Sequence, residues 1–327
     1  MTVTTSEDFA RQADPFRREL LAHCYRMLGS VHDAEDLVQE TLLRAWRASG
    51  RIDSERASLR TWLYRIATNA CLTALAGRGR RPLPSSVVAP SEDPEQPLVR
   101  AEVPWLQPVP DAMVWAERAD PAALAVSRAS MRLAFVAALQ LLPPRQRAIL
   151  ILREVLELPA AEVADMLATT PAAVNSALQR ARDRLAGVGE DQISEPAEPG
   201  LRATVDAYVT AFQNADITAL TRLLTKDAIL EMPPMAVWFT GRELYGRFIA
   251  RVWAVRGTDW RMVPAAANGQ PAVAAYVRGD DRGYQLHTLQ VLTVTPAGIS
   301  RNVVFADPGL FATFGLAPRL DPAAGAR

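Results

Sequence analysis

Apolar residues recur at helical spacing over residues 16–76 and again over 125–187, and both stretches are predicted to be helical. Within the first, Ala34, Leu37, Val38, Leu42, Ala45 and Trp46 form one stripe, predicted to be buried. Asp33, Asp36, Gln39 and Glu40 share another face. Within the second, Val174, Ala177, Leu178, Ala181 and Leu185 make an apolar face, opposite Ala172, Asn175, Ser176, Gln179, Arg180, Arg182 and Asp183. From residue 201 the texture changes. Helical periodicity over 201–214, 216–225 and 241–255 gives way to strand-like runs at 260–267, 271–278, 284–295 and 298–306. Asn268-Gly269, Gly279-Asp280-Asp281 and Pro296-Ala297-Gly298 supply turns between them. Helices followed by a run of strands predict an α+β domain.

Between these regions the composition shifts. Residues 82–124 hold nine of the 24 prolines and seven acidic residues, with only Arg100 and Arg118 as bases. That reads as an extended, poorly packed linker. Trp105 and Trp115 inside it are unusual for a spacer; they either dock on a neighbouring domain or meet a partner. Residues 188–200 form a second acidic, Pro-containing linker.

At about 100–200 residues per domain, the 327-residue length predicts two or three domains. Its 49% hydrophobic and 22% charged residues exclude global disorder. No apolar run is long enough to span a membrane, and the acidic, polar start MTVTTSEDF lacks the basic and apolar parts of a secretory signal. A cytoplasmic setting is the expectation. Cys24 and Cys71 have no metal-ligand spacing and make no disulfide framework, and there are only three histidines, so neither a metal nor a cofactor is expected. Net charge is zero, and 35 of the 36 basic residues are Arg. A GC-rich genome accounts for that bias, so the local distribution of charge matters more than its total.

The sharpest motif lies at 158–185. A short helix ends near Leu167, Ala168-Thr169 turns the chain, Thr170 caps a second helix and Pro171 takes its first position. The result is a predicted helix-turn-helix whose second helix can enter a major groove. Asn175, Ser176 and Gln179 are the base-reading candidates, since amide side chains pair with adenine edges; Arg180, Arg182 and Arg184 suit phosphate. Upstream stands Leu142-Pro143-Pro144-Arg145-Gln146-Arg147, then Glu154, then Pro159-Ala160-Ala161-Glu162-Val163-Ala164. This pattern resembles domain 4 of the sigma-70 family. The resemblance implies binding of the −35 promoter element through Pro171, Ala172, Asn175, Ser176, Gln179, Arg180 and Arg182, with the polymerase β flap as partner.

Residues 20–72, with Asp33-Ala34-Glu35-Asp36-Leu37-Val38-Gln39-Glu40 at their centre, resemble domain 2 of extracytoplasmic-function (ECF) sigma factors. The resemblance implies that Asp33, Asp36, Gln39 and Glu40 dock on the β′ clamp helices of core RNA polymerase. Charge then inverts: Arg56–Arg81 carries six bases and no acid, with Trp62, Tyr64 and Asn69 interleaved. Bases hold phosphate and aromatics stack on unpaired nucleobases, as opening a −10 element requires. Arg60, Trp62, Arg65, Asn69, Arg78, Arg80 and Arg81 are the candidates. Trp62 is as well placed for the core, and Arg78–Arg81 also reads as a basic tail.

The last domain resembles the SnoaL-like cone, on Val205-Asp206-Ala207-Tyr208, Phe212, Asp216, Leu220, Leu223 and Leu224, Asp227-Ala228, Met232-Pro233-Pro234, Phe239-Thr240-Gly241-Arg242 and Phe305-Ala306-Asp307-Pro308. Such a cone implies a pocket, and Trp238, Phe239, Trp253, Tyr276, His287 and Asp307 are its candidates, with Met232, Met235 and Trp260 beside them. His287 with Asp307 would make an acid–base pair; a packing histidine among strand residues is the plainer reading.

The predicted organisation is two all-α sigma domains (1–81 and 125–188, the second with the helix-turn-helix) joined by the 82–124 linker. The 189–200 linker, an α+β SnoaL-like domain at 201–318 and a 319–327 tail follow. The expected function is that of a non-enzymatic alternative sigma factor. It would bring core polymerase to promoter DNA, regulated in cis by its last domain and by a small molecule in the pocket. A helix-turn-helix regulator with a ligand-binding domain, and a SnoaL-like isomerase or cyclase fused to a DNA-binding module, are the alternatives. The acidic 33–40 helix and the basic 56–81 segment argue against the first, the lack of a convincing dyad against the second.

Overall fold

A computed structural model describes residues 6–48, 58–115, 128–186, 200–279 and 283–321; Arg56, residues 116–127 and nearly all of the 188–200 linker lie outside them. The chain divides into two units, residues 1–81 with 106–193 and residues 82–105 with 194–327. No helix among the described residues is long and apolar enough to cross a membrane, and no group of side chains among them is arranged to hold a metal ion.

The first unit is helical. Its first four helices are α1 (Ser6–Ala13), α2 (Arg17–Leu28), α3 (Val31–Ala48) and α4 (Leu59–Leu75). Gly29 ends α2 in the left-handed conformation, φ 68°, where a Cβ would come within 2.8 Å of Leu106. Ser58 caps α4 by accepting the Thr61 N–H at 3.1 Å. The buried stripe of α3 is Val31, Ala34, Val38, Thr41 and Ala45. Trp46, predicted to belong to it, is 42% exposed, because it follows Ala45 by one residue and so points about 100° round the helix from that seam. Cys24 and Cys71 are free and buried; burial, then a hydrogen bond with Cys24, pushes the Cys71 thiol well up.

The short α5 (Asp111–Val114) precedes α6 (Leu133–Leu139), α7 (Pro144–Leu150), a π-helical turn at Ile151–Val155, α8 (Ala160–Met166) and α9 (Pro171–Leu185). Arg147 lies at the heart of this unit, 2% exposed. Its guanidinium donates to the Met27 carbonyl, to Gln140 Oε1 at 2.7 Å and to the Gln140 and Leu142 carbonyls at 3.2 Å. It thereby ties the helix-turn-helix half to α2. Burial pushes Arg147 down to about 10, which leaves it charged at neutral pH.

The second unit lays helices against one seven-stranded sheet. The helices are α10 (Gly200–Gln213), α11 (Ile217–Arg222), α12 (Arg242–Arg256) and α13 (Pro308–Thr313). The strands are β1 (Leu224–Glu231), β2 (Trp238–Thr240), β3 (Trp260–Ala267), β4 (Gln270–Arg278), β5 (Tyr284–Thr295), β6 (Gly298–Phe305) and β7 (Arg319–Leu320). Their order is β2-β1-β6-β5-β4-β3, with β7 on β5; β1 and β6 are parallel and the other pairs antiparallel. Asn268 and Gly269, both at positive φ, turn β3 into β4 as their pairing predicts.

Alternate residues of β4 face two hydrophobic clusters. Val273 and Ala275 join the core under the helices, while Ala274 and Tyr276 join Tyr284 on the other face. Burial on both faces explains why β4 reads as an unbroken apolar run. Strand β1 was not legible as a strand, because Thr225-Lys226-Asp227 interrupts its apolar pattern where its register against β6 also shifts.

The 82–105 segment is no loose spacer. The Ser85 N–H donates to Glu231 Oε2 at 2.9 Å, the Ser91 N–H to the Trp238 carbonyl at 2.9 Å, and the Ala101 N–H to the Pro234 carbonyl at 3.0 Å. Trp238 Nε1 donates to the Val88 carbonyl at 2.9 Å, and Trp105 Nε1 to the Pro234 carbonyl at 3.1 Å. Proline gives up a backbone donor but pre-shapes an extended chain, so a Pro-rich segment can line a surface with few lost bonds. The following residues return to the first unit: Gln107 bonds Gly29, Tyr25 and Ser30. Of the two tryptophans, Trp105 docks within the second unit, 7% exposed, and Trp115 sits in the first, its ring 5.8 Å from the Arg128 guanidinium.

Candidate functional site

The helix-turn-helix is assembled as its sequence predicts. Ala168 takes a positive φ of 48° in the turn, and Thr170 Oγ1 accepts the Ala173 N–H at 3.2 Å. Val174, Ala177, Leu178 and Ala181 of α9 are buried. Pro171, Ala172, Asn175, Ser176, Gln179, Arg180 and Arg182 are exposed. Gln179 Nε2 donates to Asp183 Oδ1 at 2.8 Å, and Arg182 pairs with Glu154 of the preceding turn at 2.5 Å. Both interactions lie on the surface, where such pairs contribute little and yield readily to another partner. Arg145, in the motif before α7, donates to the Leu167 carbonyl at 2.8 Å and braces the turn.

On α4, Arg65 and Asn69 are exposed and Trp62 is half-buried. Asn69 donates to the Arg65 carbonyl at 2.9 Å. Arg60 pairs with Glu19 at 2.8 Å and lies 5.0 Å from the Tyr64 ring centroid. Tyr64 itself is core, 1% exposed, its hydroxyl donating to Glu19 at 2.9 Å. Arg78 and Arg81 both reach Asp33, at 3.3 and 2.7 Å, so the basic cluster expected at DNA and an acid expected at polymerase share one contact. Arg80 is exposed. Along α3, Asp36 and Gln39 are exposed, and Glu40 pairs with Arg44 at 2.6 Å.

The second unit encloses a cavity of about 350 Å³ lined by Met232, Met235, Trp260 and His287, as the sequence suggests. The other pocket candidates lie elsewhere. Phe239 is fully buried against Phe248, ring centroids 5.1 Å apart, and Trp253 packs edge-on to Phe212 at 5.5 Å. Tyr276 faces the opposite side of the sheet and donates to the Ala317 carbonyl at 2.9 Å. Trp238 holds the 82–105 segment through its indole N–H. Asp307 caps α13 by accepting the Gly309 N–H at 3.0 Å. Strand alternation and cap chemistry, rather than aromatic character, sort these residues. The His287–Asp307 acid–base pair therefore does not form across the cavity.

Sequence reasoning missed the polar side of the cavity. Gln290 and Asn302 line it from β5 and β6. The two Asn302 Nδ2 hydrogens are shared among Tyr245 Oη at 2.8 Å, Gln290 Oε1 at 3.1 Å and Tyr208 Oη at 3.2 Å, and Tyr208 donates to Gln290 Oε1 at 2.9 Å. Burial pushes both phenols up, Tyr245 to about 12, so they remain neutral hydroxyls. The only signal was two amides amid strand residues, which becomes meaningful once β5 and β6 pair.

A capped recognition helix in one helical half, and an acidic helix followed by a basic one in the other, define a transcription initiation factor of the sigma-70 class. Residues 13–81 match sigma-70 region 2, residues 132–185 match sigma-70 region 4, and residues 205–301 match the SnoaL-like domain. The chain is 51% identical over 316 residues to the ECF RNA polymerase sigma factor SigG of Mycobacterium tuberculosis H37Rv, covering 94% of this chain and 84% of that protein. It is 29% identical over 246 residues to SigJ of the same strain, covering 75% and 68% of the two chains. The crystal structure of SigJ shares the fold, with a TM-score of 0.62 at 23% identity, covering 94% of this chain and 99% of that one. The protein belongs to the ECF RNA polymerase sigma factor family and carries a C-terminal SnoaL-like domain.

Proposed function

We propose that the protein directs core polymerase to its promoters by laying the exposed face of α9 on the −35 element and the α4–Arg81 stretch on the −10 element. The polar face of α3 meets the β′ clamp helices, and region 4 meets the β flap. The observation that carries this reading is the exposed polar face of α9 on a fully packed helix-turn-helix. Gln179→Ala is expected to relax base preference at one −35 position and to cost about 1–3 kcal/mol against the preferred sequence. A selected promoter library with binding titrations would measure it; uniform loss across all sequences would make Gln179 a positioning residue instead.

The SnoaL-like domain acts in cis. Support comes from the chain path: the segment leaving region 2 at residue 82 is built into the C-terminal unit through to residue 105 before the chain proceeds to region 4. Whatever alters the hold on that segment alters the tether between the two promoter-reading parts. In run-off transcription with purified core, the full chain and one stopped after Pro199 are both expected to be active, but unequally. Equal activity across core and promoter concentrations would remove the regulatory role; inactivity of both, with no core binding, would remove the sigma reading itself.

A further inference from the structure

The cavity of the C-terminal unit has apolar walls, built by Phe212, Leu230, Phe248 and Trp260 among others, and a polar floor on β5 and β6. Two features ask for an occupant. Asn302 is completely buried, and its Oδ1 has no hydrogen-bond partner among the described residues although Nδ2 has three acceptors around it. A dry, unmatched acceptor is rare in folded proteins unless a ligand or water supplies the donor. Leu98 and Val255 also line the cavity yet stand 41% and 70% exposed. Apolar side chains that border a cavity and still face solvent are what an apolar ligand covers.

Charge narrows the chemistry. His287 lines the cavity with its ring 5.5 Å from Trp260. Burial, then the nearby Arg256 charge, pushes its imidazole down to about 4, so it is neutral at physiological pH. Arg251 is already engaged, donating to the Pro94 and Gln96 carbonyls at 2.8 Å and pairing with Glu95 at 3.6 Å. Arg256 also lines the cavity but is exposed, where solvent screens its charge, so the buried part of the cavity offers a neutral acceptor and apolar walls.

We propose that this cavity binds a neutral, largely apolar small molecule bearing a hydroxyl group, which donates to Asn302 Oδ1 while its apolar body covers Leu98 and Val255. Leu98 belongs to the 82–105 segment, so an occupied cavity holds that segment more firmly on the domain. This deepens the cis-regulatory reading and rests on it only for the effect on transcription. Ligand free energy can stabilise the docked segment only to the extent that binding differs between its docked and released states. Contact with Leu98 supplies that difference.

The test uses the full-length protein and three probes of one shape: 2-naphthol, naphthalene and 2-naphthoate. Fluorescence titration is expected to show saturable one-to-one binding of 2-naphthol, about five- to tenfold tighter than naphthalene, as one net hydrogen bond allows. The carboxylate is expected to bind more weakly than both. Val252→Trp, which fills the cavity from α12, should weaken 2-naphthol about tenfold or more. At saturation, hydrogen exchange of the Ser91 and Ala101 amides, which bond Trp238 and Pro234, should slow severalfold. Absence of saturable binding, undiminished binding to a folded Val252→Trp protein, or 2-naphthoate binding as tightly as 2-naphthol overturns the site or its chemistry. Unchanged exchange at saturation overturns the link to the segment. Should Val252→Trp fail to fold, the three-probe comparison on the native chain decides alone. Transcription is no part of this readout, so its failure is distinct from failure of the regulatory reading.

Discussion

Arg301→Met is expected to lower the stability of the C-terminal unit by about 3–5 kcal/mol, the usual cost of removing one partner from a buried ion pair. Glu231 on β1 is fully buried, and the Arg301 side chain on the neighbouring β6 is 12% exposed. Arg301 donates to one carboxylate oxygen, and the Ser85 N–H donates to the other at 2.9 Å. Without the guanidinium the carboxylate keeps a single neutral donor in a site that water does not reach. The loss should therefore spread to the 82–105 segment, which Ser85 anchors there. Hydrogen exchange of the β1, β6 and Ser85 amides across a urea series would measure both effects. Adding Glu231→Gln to Arg301→Met should recover part of the loss by removing the stranded charge. A loss below about 1 kcal/mol, the range of exposed pairs, would mean that the carboxylate is hydrated.

Acid is expected to weaken the helical unit through His23. The imidazole is fully buried between α2 and α4, with Nε2 2.9 Å from Thr68 Oγ1 and its ring edge-on to Tyr64. Burial, then the neighbouring Arg26 charge, pushes its pKa from 6.5 down to about 3. Because the folded value lies below the unfolded one, the unfolded chain takes up the proton first. The contribution to stability is complete above pH 6.5 and is lost as pH falls through 6.5 toward 3. At about 1.4 kcal/mol per pH unit the full loss is about 5 kcal/mol. Carboxylates titrate in the same range, so the informative quantity is the difference between the native protein and His23→Phe, read from hydrogen exchange of the α2 and α4 amides. That difference should shrink or reverse in favour of the variant as pH drops. A constant difference from pH 7 to pH 4 would sink the assignment.

Local grammar made the helix-turn-helix legible. Thr170 and Pro171 announce the start of α9, and four apolar positions one turn apart mark its inner face. The Asn268-Gly269 turn likewise fixes the β3–β4 register, because few residue pairs accept two positive φ values in succession. Other features had no local signature. Strand β1 hides behind Thr225-Lys226-Asp227, since an irregular strand breaks the period-two pattern on which recognition depends. Trp46 reads as core by spacing and is exposed, because a broad apolar stripe leaves open which line of residues meets the neighbours, and one residue's step is about 100°.

The candidate sites divide along the same line. The residues of α9 proposed to face DNA occupy one helix, so a single amphipathic pattern names them together. The cavity draws on α10, α12, β1, β3, β5, β6 and Leu98, and no spacing rule relates Leu98 to Asn302. Aromatic content therefore misplaced Phe239, Trp253 and Tyr276, which pack in the core or on the far face of the sheet.

By itself the sequence determined the class of this protein, its two helical sigma regions, the recognition helix and four strands of the last domain, β3 to β6. Each depends on residues within one or two turns of one another, where caps, spacing and turn chemistry act. Only the tertiary structure decided that residues 82–105 belong to the C-terminal unit, that Arg147 joins region 4 to region 2, and that Asn302 faces a cavity walled partly by Leu98. Those contacts join residues far apart in the chain. Their energies come from burial and from matching donors to acceptors, which exist only once the elements have packed.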